Sequence, residues 1–197
     1  MTLGAGDKPD KELESMANGL FDSISHYKPD KVLFFGSFNG EEKSAKVLQK
    51  IKHISEKQNK PIKNDEYIHF SEVDNFNKCY NEICEVLSKY PNDEIIMDYT
   101  GGTKTMVAAQ AVAALLYKKT LSLTKGERDE KGKIYPYTSR VSPQPLYEAY
   151  DKIHFENVKR DFNAYRFDTS LESMNEIVKY KWKLGLTNLI TGYKKWD

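Results

Sequence analysis

The sequence predicts an α/β fold with a parallel-sheet core, a β-hairpin at the C-terminal end of that core, and a helical appendage. Short apolar runs, typical of strands buried on both faces, alternate with segments whose apolar residues recur at helical spacing. Prolines stand just after three of the helical segments, where proline ends a helix, at Pro29, Pro61 and Pro91. Strands that alternate with helices require right-handed crossovers and a parallel sheet covered on both faces.

Three continuous apolar runs predict buried strands, at residues 31–37, 66–70 and 94–99. A strand end and a small-residue loop precede them at residues 2–6, so we expect the first strand to be truncated or shorter than usual. After them, strands at residues 121–124 and 134–139 flank a charged stretch with a glycine at each end. This arrangement predicts a hairpin with a long exposed tip.

Helical segments lie between these strands and complete a Rossmann-like alternation. Their apolar faces are formed by Leu13, Met16, Leu20 and Ile24, by Val47, Ile51 and Ile54, and by Phe76, Tyr80, Ile83, Leu87 and Tyr90. The helix that begins near Thr105 differs, because residues 106–116 leave almost no polar face. A helix that is apolar all round is buried. In a domain this small, we favour burial against a second subunit, and therefore a homodimer, over packing under a later segment of the same chain.

The chain has 197 residues, enough for one α/β domain and a short appendage. Pro143 and Pro145 predict a linker. We therefore divide the chain into a main domain over residues 1–142 and, over residues 143–197, a linker and the start of a helical second domain. Helices predicted at residues 147–165 and 171–182, separated by residues 168–170, cannot form a large core alone. We expect the second domain to be truncated in this chain.

Composition excludes several classes of function. A net charge of +1 creates no global field for nucleic acid, so we expect no direct binding of a duplex, and any anion site must be local. No apolar run approaches the roughly 18 residues of a membrane helix, and the start has no signal-peptide layout. Cys79 and Cys84 lie five residues apart in a helical segment, where their side chains diverge, so we expect free thiols and a cytoplasmic protein. No histidine stands at metal-ligand spacing, so no metal is predicted.

Residues 98–104, Asp-Tyr-Thr-Gly-Gly-Thr-Lys, form the predicted ligand-binding loop. A buried strand runs into two glycines and then into a helix, and in open α/β sheets ligands lie beyond the carboxyl ends of the strands. Gly101 and Gly102 let backbone N–H groups approach a ligand closely. Thr103 or Thr105 caps the helix, whose positive end favours an anion, and Lys104 adds a point charge.

Two well-known phosphate motifs do not fit this loop. A Walker loop needs G-x-x-x-x-G-K-[ST], but the residue before Lys104 is Thr103, and the residue five before that is Asp98. The dinucleotide pattern G-x-G-x-x-G is missing too, and we expect no cofactor. A plain strand-to-helix turn that requires glycines is the simpler alternative. The aspartate, the two threonines and the lysine around the glycines favour a binding loop instead.

The pattern D-x-T-G-G-T-K-x-M, followed by a small-residue helix, resembles the signature of CRISPR-associated Rossmann-fold (CARF) sensor domains. The most similar are those of the RNase-type ancillary proteins of type III CRISPR systems. The resemblance covers about residues 1–145 and is specific for the loop, with weaker matches at residues 3–6, at residues 35–37 and in the hairpin and linker. The matching loop residues are Asp98, Thr100, Gly101, Gly102, Thr103, Lys104 and Met106.

The resemblance implies a role in antiviral defence. Such domains dimerise and bind one cyclic oligoadenylate across the two-fold axis, and that binding switches a C-terminal effector. Lys104 is expected to face phosphate or ribose oxygens, whereas Asp98 is expected to accept hydrogen bonds from loop N–H groups rather than to contact the ligand. The expected ligand-binding residues are Gly4, Ala5, Gly6, Ser37, Thr100, Gly101, Gly102, Thr103 and Lys104.

Three functions stay open at this point. The first, which we favour, is a sensor that binds the cyclic oligoadenylate; the second is a ring nuclease that cuts it, with no catalytic residue assigned; the third is a nucleotide- or sugar-phosphate-binding Rossmann domain of another pathway. Effector domains of the HEPN type use an arginine followed by a histidine four to six residues later. No arginine of this sequence has a histidine at that distance, so the chain lacks that ribonuclease motif.

Overall fold

The computed structural model describes residues 1–4, 9–37, 44–127, 130, 138–144, 146–177 and 183–195. Strands and helices alternate within these residues, as the sequence predicts. The strands are β1 (Thr2–Leu3), β2 (Val32–Ser37), β3 (Asp65–Phe70), β4 (Ile96–Asp98), β5 (Thr120–Lys125) and β6 (Arg140–Gln144). The helices are α1 (Asp10–Tyr27), α2 (Ser44–Lys57), α3 (Phe76–Ser88), α4 (Lys104–Leu116), α5 (Tyr147–Asn163), α6 (Phe167–Glu176) and α7 (Lys183–Lys194).

The strands pair in two three-stranded sheets, in the orders β1-β2-β3 and β4-β5-β6. The first sheet is parallel throughout, with Phe35 of β2 opposite Thr2 of β1 and Ile68 of β3. In the second sheet, β4 and β5 are parallel and β6 is antiparallel to β5. The first strand has only two residues, as expected. Because β1, β2 and β3 run in the same direction, their carboxyl ends lie at one edge of the sheet.

The main apolar cluster lies between the first sheet and helices α1 and α2. Helix α1 carries acidic residues in its first turn, where the positive end of the helix dipole stabilises their charge. Its C-cap, Lys28, has the left-handed conformation with φ 48°. Helix α1 buries Leu20 and Phe21, and α2 buries Val47 and Ile51. Each of these side chains contributes about 1.5–3 kcal/mol of transfer free energy when fully buried. The cluster therefore holds the strand ends described below in place.

The hairpin is present, but its second strand lies later than the sequence predicts. Of the predicted strand at residues 134–139, positions 134–137 lie outside the described residues, and Thr138 and Ser139 precede β6. Pro143, predicted to be in the linker, lies in β6 opposite Ser122 of β5. Proline cannot donate to a ladder and is therefore confined to edge strands. Among the described strands β6 pairs with β5 alone, so it is such an edge.

The chain divides into two compact units, Met1–Gln144 and Pro145–Asp197. The second unit has its own apolar cluster, formed by Val158, Phe167, Met174, Ile177 and Ile190. In none of the described helices do length and apolar character suffice for crossing a membrane.

The predicted break at residues 168–170 is wrong, because these residues lie inside α6. Asp168 lies in the first helical turn, where an acidic side chain is favourable, and the Ser170 hydroxyl donates to the Val158 carbonyl in the buried interior. The break lies at residues 164–166 instead, where Tyr165 has a positive φ of 59°. Helix α6 ends at Glu176, six residues before the predicted end at residue 182.

Candidate functional site

Segments that follow four strands meet at one edge of the first unit. Gly4 follows β1, Ser37 ends β2, residues 71–75 follow β3, and residues 99–103 follow β4. The first three lie together because β1, β2 and β3 are parallel. The fourth is joined to them by the direct contacts described next. This is the edge at which open α/β sheets bind ligands.

Gly4 packs directly against the glycine loop. A Cβ atom at Gly4 would lie 2.5 Å from the carbonyl carbon of Gly102 and 2.8 Å from the backbone nitrogen of Thr103. Gly102 itself has a φ of +108°, which side-chain-bearing residues rarely adopt. At Gly101, a Cβ would lie 2.7 Å from the carbonyl oxygen of Thr2. The glycines therefore allow two loops from different strands to form one backbone surface.

Buried polar side chains form hydrogen bonds to the backbone of the glycine loop and hold it in place. The Thr2 hydroxyl donates to the Gly101 carbonyl at 2.6 Å, and the Gln110 side-chain amide donates to the Asp98 carbonyl at 2.9 Å. The Gln110 Oε1 atom lies 3.2 Å from the Thr2 Oγ1 atom. This network was not predicted from the sequence. Its only local signal is Gln110, a single amide in an otherwise apolar helix.

Asp98 takes the position expected for it at the end of β4. It is 2% exposed, and its Oδ1 atom accepts a hydrogen bond from the Thr100 N–H at 2.9 Å. Its Oδ2 atom has no hydrogen-bond partner in the described part of the chain. Burial lowers the pKa of the Met1 amino group to about 6, and the negative charge of Asp98 opposes this change. Asp98 thus orders the loop and adds a negative charge beneath it.

The threonines of the loop use their hydroxyls within the protein. Thr103 is the helix cap: its Oγ1 atom accepts from the Met106 N–H and donates to the Val73 carbonyl, each at 3.2 Å. Of the two caps left open by the sequence, Thr103 is therefore the one used. The Thr100 Oγ1 atom accepts from the Thr124 N–H at 2.9 Å and so faces β5. A ligand contact by either threonine stays a prediction.

Lys104 is the first residue of α4, and its side chain is exposed. It forms no ion pair within the described ranges. Ser37 ends β2 at the same edge of the first unit, and its Oγ atom lies 3.4 Å from the Ser44 Oγ atom. Ala5 and Gly6, which the sequence also predicts at the site, lie outside the described residues.

The loop at residues 71–75 is the part of the site that the sequence analysis did not identify. Glu82 accepts hydrogen bonds from the N–H and hydroxyl of Ser71. The Cys79 thiol donates to the Glu72 carbonyl at 3.2 Å, and Asn75 caps α3. Burial, helped by the nearby charge of Glu82, raises the pKa of the Cys79 thiol to about 11. The loop contains no glycine, and the signal that would have identified it is the polar run directly after a buried strand.

This loop and the end of β2 line an open cavity of about 620 Å³. Within the described part of the chain, its lining carries two carboxylates and contains neither lysine nor arginine. Salt bridging to Lys78 and a hydrogen bond from Asn75 lower the pKa of Glu72. The lining residues are Ser37, Phe70, Ser71, Glu72, Val73, Asp74, Asn75 and Phe76.

Helix α4 is not buried all round. Its inner face packs Met106, Ala109 and Ala113 in the core, whereas Val112 is 38% and Leu116 is 56% exposed. Ala108 is exposed on the same face. Lys104, Ala108, Val112 and Leu116 follow one another at four-residue spacing, so they form one stripe along the helix. We call this set of four residues the α4 stripe.

The chain matches no family model and no curated protein. It is similar to a solved structure, Csm6 of Enterococcus italicus bound to cyclic hexa-2'-fluoro-hexa-dAMP. The TM-score is 0.69 at 14% sequence identity, over 88% of this chain and 47% of that one. The chain thus spans about half the length of this relative. The likeness shows a common fold and confirms the predicted Rossmann-like α/β class.

Proposed function

We propose that this chain is a CARF-type sensor domain that binds a cyclic oligoadenylate as a homodimer and regulates a type III CRISPR effector in the cytoplasm. The observation that carries the proposal is the contact of Gly4 with Gly102 and Thr103. This contact places two loops side by side at the N-terminal end of α4, next to the exposed Lys104.

The chemistry of this surface suits phosphate. The first N–H groups of a helix have no partner within the helix, and the helix dipole favours negative charge there. Lys104 has no ion-pair partner among the described residues, so its charge is available to a ligand. The buried network behind the loop keeps these donors in place before a ligand arrives, which reduces the entropic cost of binding.

The α4 stripe supports the homodimer. Lys104 stands at its N-terminal end, so a two-fold axis parallel to α4, with the two helices in parallel contact along Ala108, Val112 and Leu116, would bring two copies of the loop to the same side of the dimer. An isologous interface offers the same groups twice, and a ring of identical nucleotides can meet both sets. The relative from Enterococcus italicus was solved with such a ring, a cyclic hexanucleotide analogue.

A thermal-shift panel tests the proposal. It compares cyclic tetraadenylate, cyclic hexaadenylate, linear oligoadenylate and AMP, each with the purified chain. One of the rings should raise the midpoint of unfolding more than the linear compound and AMP do. Stabilisation by AMP but by neither ring would contradict the proposal and favour a mononucleotide-binding domain.

Lys104→Ala should weaken the binding of the ring by about 1–3 kcal/mol, because it removes a charged hydrogen-bond donor. Lys57→Ala is the matched control. Lys57 is also an exposed helical lysine, but it lies at the C-terminal end of α2. Equal affinities of the two variants would remove Lys104 from the site.

A further inference from the structure

The cavity beside Ser37 has the size and the position of a separate subsite. Its volume of about 620 Å³ lies within the range of about 300–1,000 Å³ that is typical of small-molecule sites. It shares a wall with the glycine loop, because the Thr103 hydroxyl donates to the carbonyl of Val73, one of its lining residues. A group bound in the cavity would therefore lie next to a group bound at Lys104.

The charge of the lining disfavours phosphate there. Glu72 forms an ion pair with Lys78 and accepts a hydrogen bond from the Asn75 amide. Asp74 is exposed and has no ion-pair partner among the described residues, and none of the described lining residues is a cation that would offset its charge. An unpaired carboxylate accepts hydrogen bonds only. The group that fits beside it carries N–H donors and no negative charge.

The apolar part of the lining suits a flat ring. Phe70 is fully buried and forms a wall of the cavity. Phe76 is 38% exposed at the start of α3, and its ring is stacked with Tyr80 at 6.2 Å between centroids and 4° between planes. Phe76 is thus held in one orientation while part of its ring stays accessible. Aromatic side chains held in this way form stacking platforms for nucleobases.

We propose that the cavity binds a purine base with an exocyclic amine, which in the proposed ligand is adenine. The amine donates to the Asp74 carboxylate, the base packs against Phe76, and the phosphates lie at residues 101–104. The inference rests on the proposed function and extends it. It assigns the choice of base to the loop after β3 and the binding of phosphate to the loop after β4.

The test compares rings that differ only in the base. Affinities are measured by calorimetry for a cyclic oligoadenylate and for the inosine ring of the same size, which has an oxygen in place of the amine. The wild-type chain should prefer adenine. Asp74→Asn should reduce that preference by about tenfold or more, because a charged hydrogen bond is replaced. Phe76→Leu should weaken both rings, while Lys104→Ala should weaken both and leave the preference unchanged.

Glu85→Gln is the matched control for Asp74→Asn, because it removes an exposed carboxylate from α3 on the side that pairs with Lys89. Glu85→Gln should keep the wild-type preference for adenine. If Asp74→Asn keeps it too, the assignment of the base to this cavity is overturned, while the proposed function stands. If no ring binds the wild-type chain, the proposed function fails. The cavity is then tested with adenosine and inosine by amide chemical shifts of residues 71–76. Shifts with adenosine and weaker ones with inosine would support a nucleoside site, and their absence would overturn it.

Discussion

Gly4→Ala tests whether the two loops of the site must touch. The new Cβ would lie 2.5 Å from the carbonyl carbon of Gly102, whereas carbon atoms at rest are about 3.5–4.0 Å apart. The atoms in the way belong to the backbone, so no rotamer change relieves the overlap. One of the loops must therefore move by about 1 Å, and overpacking of this kind costs about 1–3 kcal/mol.

Urea unfolding and ligand titration measure the two effects of this change. With a slope of about 2 kcal/mol/M, the midpoint of unfolding should fall by about 0.5–1.5 M. Misplacing a single hydrogen bond to the ligand, worth about 1–1.5 kcal/mol, should weaken binding by roughly tenfold. Gly19→Ala in α1 is the control in the same unit, because its Cβ would meet only side-chain atoms of Thr100 and Thr124, at ordinary contact distances of 3.6 Å and longer. A Gly4→Ala protein with wild-type stability and affinity would refute the packing of the two loops.

Four further predictions concern the buried network, the Cys79 thiol, the α4 stripe and the fate of the ligand. Gln110→Leu leaves the Asp98 carbonyl without its buried donor, so the free energy of unfolding should fall by about 1–3 kcal/mol, and an unchanged urea midpoint would contradict this. The Cys79 thiol should resist alkylation at pH 8 until the protein unfolds, because its pKa is raised to about 11 and the thiolate is the reactive form. The protonated thiol's contribution to the free energy of unfolding is complete below pH 9 and is lost as the pH rises towards 11. Val112→Asp should give a monomer by sedimentation, whereas Gln49→Asp, an equal charge change at an exposed position of α2, should not. The cyclic ligand should be recovered uncut after incubation, and linear products would favour the ring nuclease.

Local patterns in the sequence were sufficient to locate the loop after β4. A buried strand, two glycines, a threonine cap and a lysine lie within nine residues, and each acts on its immediate neighbours. A helix cap at Thr103 or Thr105 was predicted, and the structure shows that Thr103 is the cap. The predicted role of Asp98 as an acceptor for a loop N–H is confirmed.

The long-range contacts that hold this loop in place could not be predicted from local patterns. Thr2 and Gln110 are 108 residues apart, and their contact exists only because β1 and α4 pack together. The contact between Gly4 and Gly102 has the same origin. The cavity at residues 70–76 was missed because its loop has no glycine and its fixing groups, Cys79 and Glu82, resemble ordinary residues of an amphipathic helix.

Errors at element boundaries have a common cause. Proline and aspartate are strong local signals of a turn, but tertiary contacts override them at Pro143 and Asp168. Pro143 lies on an edge strand, where its missing N–H costs little. Asp168 lies in a first helical turn, where its charge is favourable.

The stoichiometry of ligand binding tests the central claim most directly. Titration calorimetry of the wild-type chain with the preferred cyclic oligoadenylate should give one ring for two chains, because a ring on a two-fold axis meets both copies of the loop. One ring for each chain, or no binding of any ring, would contradict the account.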